Sequence, residues 1–369
     1  RDVAVTGVQT CVFRSDTLRA GAGADTLEGG AGTDIADYGG STAGVTINLS
    51  AGLANGGWAT GDTLTGIENL GGSASGDTLS GSSLANAIDG RAGDDVIEGF
   101  GGADTLTGGA GTDTVSYAGS AAGVTVDLRL TTAQTSLGDA AGDILSGFEN
   151  VLGSAFDDVL TGEASANVLT GGGGDDILRG LGGADVLTGG GGNDTADYSD
   201  SAAGVTVDLT LATAQVSTGD ASGDVLSGIE NLVGSAADDV LTGDAGANVL
   251  SGGGGDDRLV GGLGGDRLDG GAGDDTADYS ASNAGITVYT DGFSLGAGGH
   301  AAGDTLVAIE RVIGSNFADT IYGTAAAERF EGGLGDDVLV GGAGADRLDG
   351  GSGFDTASYA NATASVTVS

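Results

Sequence analysis

Cut into nines, the stretch Val233–Ala277 reads VGSAADDVL, TGDAGANVL, SGGGGDDRL, VGGLGGDRL, DGGAGDDTA. An acidic or amide residue recurs at Asp239, Asn248, Asp257, Asp266 and Asp275, and an apolar residue follows two places later at Leu241, Leu250, Leu259, Leu268 and Ala277. The ladder extends back one rung to Glu230 and Leu232. Each nonapeptide divides into a turn and a short strand. The turn is glycine-rich because glycine enters positive φ without a Cβ clash. The strand offers one inward apolar side chain, which cannot bury a core alone, so the unit must stack on copies of itself. The expected fold is all-β, a solenoid of parallel strands.

In such a stack the aspartates of successive turns lie one above another, at strand spacings of about 4.8 Å. Aligned carboxylates repel unless a cation sits between them. Carboxylate and turn-carbonyl oxygens are hard ligands that suit calcium. The rungs GGGGDDRLV (252–260), GGLGGDRLD (261–269) and GGAGDDTAD (270–278) fit the pattern G-G-x-G-x-D-x-U-x, with U apolar. The chain thereby resembles the RTX, or haemolysin-type, calcium-binding repeat proteins. That resemblance implies a calcium-stabilised parallel β-roll in a secreted bacterial protein, exported by type I secretion without an N-terminal signal peptide.

Composition agrees. The 369 residues include 79 glycines and no proline, and the formal charge is −42. All 11 basic residues are arginine. Such a chain lacks the basic surface that nucleic acid requires and would be repelled by anionic lipid. No apolar run is long enough for a spanning helix. Disorder is opposed by the 39% hydrophobic content, whose apolar residues keep phase with the acidic ones. Without calcium the carboxylates repel one another and the chain is expected to unfold.

A longer period is superimposed. Tyr38, Tyr117, Tyr198, Tyr279 and Tyr359 are spaced by 79, 81, 81 and 80 residues, and Glu68, Glu149, Glu230 and Glu310 by 81, 81 and 80. This divides the chain into a partial ladder (16–38), modules 39–117, 118–198, 199–279 and 280–359, and the start of a truncated module (360–369). Residues 1–15 lack the Gly/Asp period; VTGVQTCVFRS resembles translated adapter sequence and is read as non-native. The one cysteine, Cys11, falls there, so neither disulfides nor thiol catalysis is expected. Each module holds a strand motif such as GVTVDL (204–209), a polar loop that differs between modules, and a ladder. Whether the strand-and-loop part forms rungs or bulges out is open at this level.

The metal ligands implied are Asp25 and Asp34 in the partial ladder; Asp77, Asp95, Asp104 and Asp113; Asp158, Asp176, Asp185 and Asp194; Asp239, Asp257, Asp266 and Asp275; and Asp319, Asp337, Asp346 and Asp355. One β-roll coil takes two nonapeptides, so Asp95 should stack with Asp113, Asp176 with Asp194, Asp257 with Asp275 and Asp337 with Asp355. Asp104, Asp185, Asp266 and Asp346 follow Asn86, Asn167, Asn248 and Glu328 on the opposite edge, and a neutral amide there should weaken the site. The turns GSAFDD (153–158) and GSAADD (234–239) lack the glycine pair. Roughly a dozen calcium ions are expected at such hard-oxygen sites.

Catalysis is not expected. His300 is the only histidine, which rules out a repeated His-based triad, and H-E-x-x-H does not occur. His300 and Trp58 read as loop residues. The function implied is a calcium-binding structural region of a secreted or cell-surface protein, folding after export, as in an adhesin or matrix stalk. The alternative is an export-and-folding segment attached to a secreted enzyme or toxin. The partners are calcium ions, with no nucleic acid and no membrane insertion. A surface polysaccharide or matrix ligand would be held elsewhere in the protein, and the region itself is expected to be monomeric.

Overall fold

A computed structural model describes residues 15–360 and, before them, the backbone of the strands Asp2–Ala4 and Val8–Thr10. Cys11 and, after residue 360, the rest of the truncated last module (360–369) lie outside the described residues. The chain forms two compact units, one of residues up to 180 with 186–192, the other of 181–185 with 193 onward.

Within each unit the nonapeptide becomes half a coil. In the second unit Val240–Thr242 pairs in parallel with Arg258–Val260, so that Leu241 faces Leu259. The rung between them, Val249–Gly254, pairs instead with Arg267–Ala272, and Leu250 faces Leu268. Successive rungs therefore alternate between two parallel sheets, and eighteen residues close one coil. The first unit repeats this, with Leu79 over Ile97 in one sheet and Ile88 over Leu106 in the other. The apolar residue of each rung points between the sheets; Leu241, Leu250, Leu259, Leu268 and Ala277 are all fully buried. Burying one leucine contributes about 1.5–3 kcal/mol, so a rung is held only by its neighbours.

The loops enlarge a coil without breaking the stack. In the first unit Thr125–Asp127 opens a new sheet and pairs with Val159–Thr161, 34 residues on. Ile144–Ser146, after the loop, closes the older sheet against Thr105–Thr107, 39 residues back. The segment left open by the sequence thus supplies two rungs, with the loop between them. Loop chemistry differs, yet each loop folds back onto its strand. Leu53–Asn55 pairs antiparallel with Thr46–Asn48, whereas the Gln134 side chain bonds both the N–H and the carbonyl of Asp127. Three loops carry a single 3-10 turn, at Gly57–Ala59, Gly138–Ala140 and Gly299–Ala301, the last holding His300. Among the described residues no helix is long and apolar enough to cross a membrane.

Candidate metal centres

The ladder carboxylates up to Asp337 lie in the turns between rungs and are buried; Asp95, Asp113 and Asp275 are wholly inaccessible. One oxygen of each caps the coil before it. The N–H of Asp77 donates to Asp95 Oδ1 at 2.7 Å, and that of Asp95 to Asp113 Oδ1 at 2.8 Å. In the second unit Asp239 N–H donates to Asp257, and Asp257 N–H to Asp275, both at 2.8 Å. The same eighteen-residue step links Asp16 to Asp34, Asp158 to Asp176, Asp319 to Asp337 and Asp337 to Asp355. On the other edge it links Asn86 to Asp104, Asn248 to Asp266 and Glu328 to Asp346. The two-rung spacing read from the sequence is thus the spacing of the hydrogen bonds.

The second oxygen distinguishes the sites. Oδ2 of Asp34, Asp95, Asp104, Asp113, Asp257, Asp266, Asp275 and Asp337 is buried and has no hydrogen-bond partner. A buried anionic oxygen without a partner is costly, and the carboxyls respond. Burial, reinforced by the charges of Asp239 and Asp275, pushes Asp257 up to about 7 against the N–H bond from Asp239. Burial likewise pushes Asp104 and Asp266 to about 7 and Asp95 to about 6. These oxygens face a cradle that a side chain would fill. A Cβ on Gly252 would lie 2.2 Å from Asp257 Oδ2 and 2.7 Å from the Gly270 carbonyl oxygen; on Gly90 it would lie 2.3 Å from Asp95 Oδ2 and 2.7 Å from Gly108 O. A side chain is excluded there, and an orphaned carboxylate oxygen beside main-chain carbonyls is the hard-oxygen donor set that suits calcium. Among the described residues no three His, Cys, Asp or Glu side chains cluster as a ready-made site; the donor set pairs carboxylate with main chain.

The aspartates that follow a serine turn are saturated. Asp239 Oδ2 accepts the Ser235 N–H at 2.6 Å, and its Oδ1 accepts both Ser235 Oγ at 3.0 Å and the Val205 N–H at 2.6 Å. Asp77, Asp158 and Asp319 are held in the same way by Ser73, Ser154 and Ser315. Asn248 accepts from Asp244 N–H and donates Nδ2 to the Glu230 carbonyl, as Asn86 does to Glu68 O and Asn167 to Glu149 O. Asp25 accepts the Gly21 N–H. Asp185 and Asp194 are buried, their N–H groups donating to Asp224 and Glu230. Asp346 is half-buried and Asp355 exposed.

One set of residues escaped sequence reasoning. Asp62, Asp143, Asp224 and Asp304 end the loops, out of phase with the nines. Each takes the place of a ladder carboxylate, accepting the N–H of Asp25, Asp104, Asp185 or Asp266. The other oxygen accepts the hydroxyl of Tyr38, Tyr117, Tyr198 or Tyr279 at 2.9–3.0 Å. The Gly-Asp pair closing every loop, recurring with the tyrosine period, was the available signal. Glu68, Glu149, Glu230 and Glu310 cap Asp34, Asp113, Asp194 and Asp275 across the loop-bearing coil.

A stack of eighteen-residue coils, glycine cradles and unpartnered carboxylate oxygens defines a metal-binding β-roll. The family model for the RTX calcium-binding nonapeptide repeat matches residues 13–41, 80–115, 143–178, 170–198, 224–259, 251–283 and 322–357, more than half of the chain. The chain belongs to that family, and its repeats are calcium-binding repeats. A search of curated proteins found no match.

Proposed function

We propose that this region is a calcium-set structural stalk of a secreted or cell-surface bacterial protein. The unpartnered, buried second oxygen of the glycine-turn aspartates supports this reading above all. In the cytosol, where calcium is scarce, the carboxylates would keep the chain unfolded and fit for export. Outside, millimolar calcium fills weak extracellular-type sites, and the binding free energy becomes folding free energy. The stack would hold roughly a dozen ions at its hard-oxygen sites. Their charge does not neutralise the −42 of the chain, so the surface stays acidic, which favours a soluble, monomeric spacer. No reaction is assigned to it.

The test is a calcium titration followed by circular dichroism. A coil spectrum in chelator that turns cooperatively into a β spectrum toward millimolar calcium is expected. A β spectrum already complete in excess chelator contradicts the proposal.

A further inference from the structure

The ladder carboxylates differ in one backbone angle, that of the residue four places before each. In the saturated rungs that residue is Ser73, Ser154, Ser235 or Ser315, and its N–H points at the carboxylate and bonds it. Before Asp34, Asp113, Asp257, Asp266, Asp275 and Asp337 it is a glycine with φ between +93° and +120° (Gly30, Gly109, Gly253, Gly262, Gly271, Gly333). There the N–H makes no bond to the carboxylate, and Oδ2 is left without a partner. The correlation extends past glycine. Arg91 before Asp95 has φ +80°, and Phe100 before Asp104 has φ +62°. Both aspartates keep an unpartnered Oδ2. A left-handed arginine or phenylalanine is strained by about 1–3 kcal/mol. Its retention at these two rungs matches the glycine rungs and no serine rung.

Resting on the calcium reading above, we propose that this left-handed residue is what makes a rung a calcium site. Turned left-handed, it takes its N–H away from the carboxylate and leaves Oδ2 to the cation. Without the positive φ, as at serine, the N–H satisfies Oδ2 itself and the rung needs no metal. Calcium is thereby confined to the later turns of each ladder. Asp77, Asp158, Asp239 and Asp319, which open the ladders, are metal-free rungs closed by serine. The glycine cradle is common to both kinds: a Cβ on Gly234 would lie 2.3 Å from Asp239 Oδ2 and 2.5 Å from Gly252 O. The partner of Oδ2, rather than the room beside it, sets the difference.

Bound calcium per chain, measured by equilibrium dialysis with the full chain in saturating calcium, tests this. Asp257→Asn and Gly253→Ala should each bind at least one ion fewer than the parent, and Asp239→Asn the same number. The double variant Ser235→Gly/Ala237→Gly, which rewrites the turn as GGAGDD, should bind one ion more. Loss of an ion in Asp239→Asn, or a full count in Gly253→Ala, overturns the proposal. Where a loss variant does not fold, the double variant decides: a gain supports the proposal and an unchanged count overturns it. If the parent chain binds no calcium at all, the functional reading itself fails, and that outcome is distinct from the others.

Discussion

Asp239 and Asp257 sit one coil apart in the same column, each at the end of a turn and each almost wholly buried. Asp239 carries bonds on both oxygens from its own serine turn, whereas Asp257 has one oxygen on the Asp239 N–H and the other on nothing. The same residue type, at the same place in the same repeat, is a finished hydrogen-bonded cap in one coil and an open anionic ligand in the next. On the proposal above, the turn leading into a rung, and not its position in the ladder, decides whether its aspartate is a metal ligand. A roll built this way alternates stretches that close themselves with stretches that wait for a cation.

The largest effect should come from withdrawing calcium, which leaves the open class of carboxylates buried without a counter-charge. Because stability in a repeat stack is carried by nearest neighbours, the self-closed coils should not survive alone. Hydrogen exchange after chelation should show protection lost around both Asp257 and Asp239. Protection persisting in the serine coils would show that they fold independently.

Acidity should act on the open class next. Burial raises the folded-state values of Asp257 and Asp266 to about 7 and that of Asp95 to about 6, from an ordinary value of 3.8. A carboxyl whose folded value is raised binds its proton more tightly when folded. Its contribution is present at low pH and is lost as pH rises through the folded value. Without calcium, β structure should therefore grow as pH falls from above 7 to about 5. With calcium, protons compete for Oδ2 and the calcium midpoint should rise over the same range. A calcium-free chain that loses structure on acidification would contradict the burial of open anionic oxygens.

Single substitutions rank the sites. Asp257→Ala removes the cap of Asp239 and the open oxygen together. Asn248→Ala removes a neutral amide whose oxygen and nitrogen both bond main chain. The calcium midpoint of folding should rise clearly more for Asp257→Ala. Equal midpoints would mean that the aspartate holds no metal. Tyr279→Phe strips the hydroxyl from Asp304 Oδ2 in a buried place. Leaving that oxygen unsatisfied costs about 1–3 kcal/mol, which a denaturant melt in saturating calcium should register without any change in bound calcium.

Much of this was legible in the residues. The nine-residue period, with leucine two places after aspartate, carried a stacked parallel solenoid, and the resemblance to the RTX repeats implied the two-rung coil of a β-roll. The tyrosine-bound aspartates were not found, because each loop inserts a length outside the nines and brings Asp143 over Asp104 only in three dimensions. Nor did the sequence reveal Arg91 and Phe100 as equivalents of glycine, since φ at a non-glycine residue is set by the coils above and below it. The serine turns were recognised as lacking the glycine pair. What serine does there, bonding the aspartate with both N–H and hydroxyl, depends on a negative φ that no residue name states.

The smallest expected effect separates the two bonds that serine makes. Ser235→Ala deletes the Oγ contacts to Asp239 Oδ1 and to the Ala237 carbonyl, but keeps the backbone N–H on Asp239 Oδ2. Oδ1 still holds the Val205 N–H. The loss is then one hydroxyl, whose single proton is shared between those two acceptors and whose oxygen accepts the Ala237 N–H, in a site where both Asp239 oxygens keep a partner, about 1 kcal/mol. It should lower the denaturation midpoint in calcium slightly and leave the calcium midpoint where it is, because no oxygen is released to a cation. If Ser235→Ala shifts the calcium midpoint as far as Asp257→Ala does, the hydroxyl rather than the backbone N–H keeps that rung closed. The two kinds of turn would then differ in side chain and not in φ.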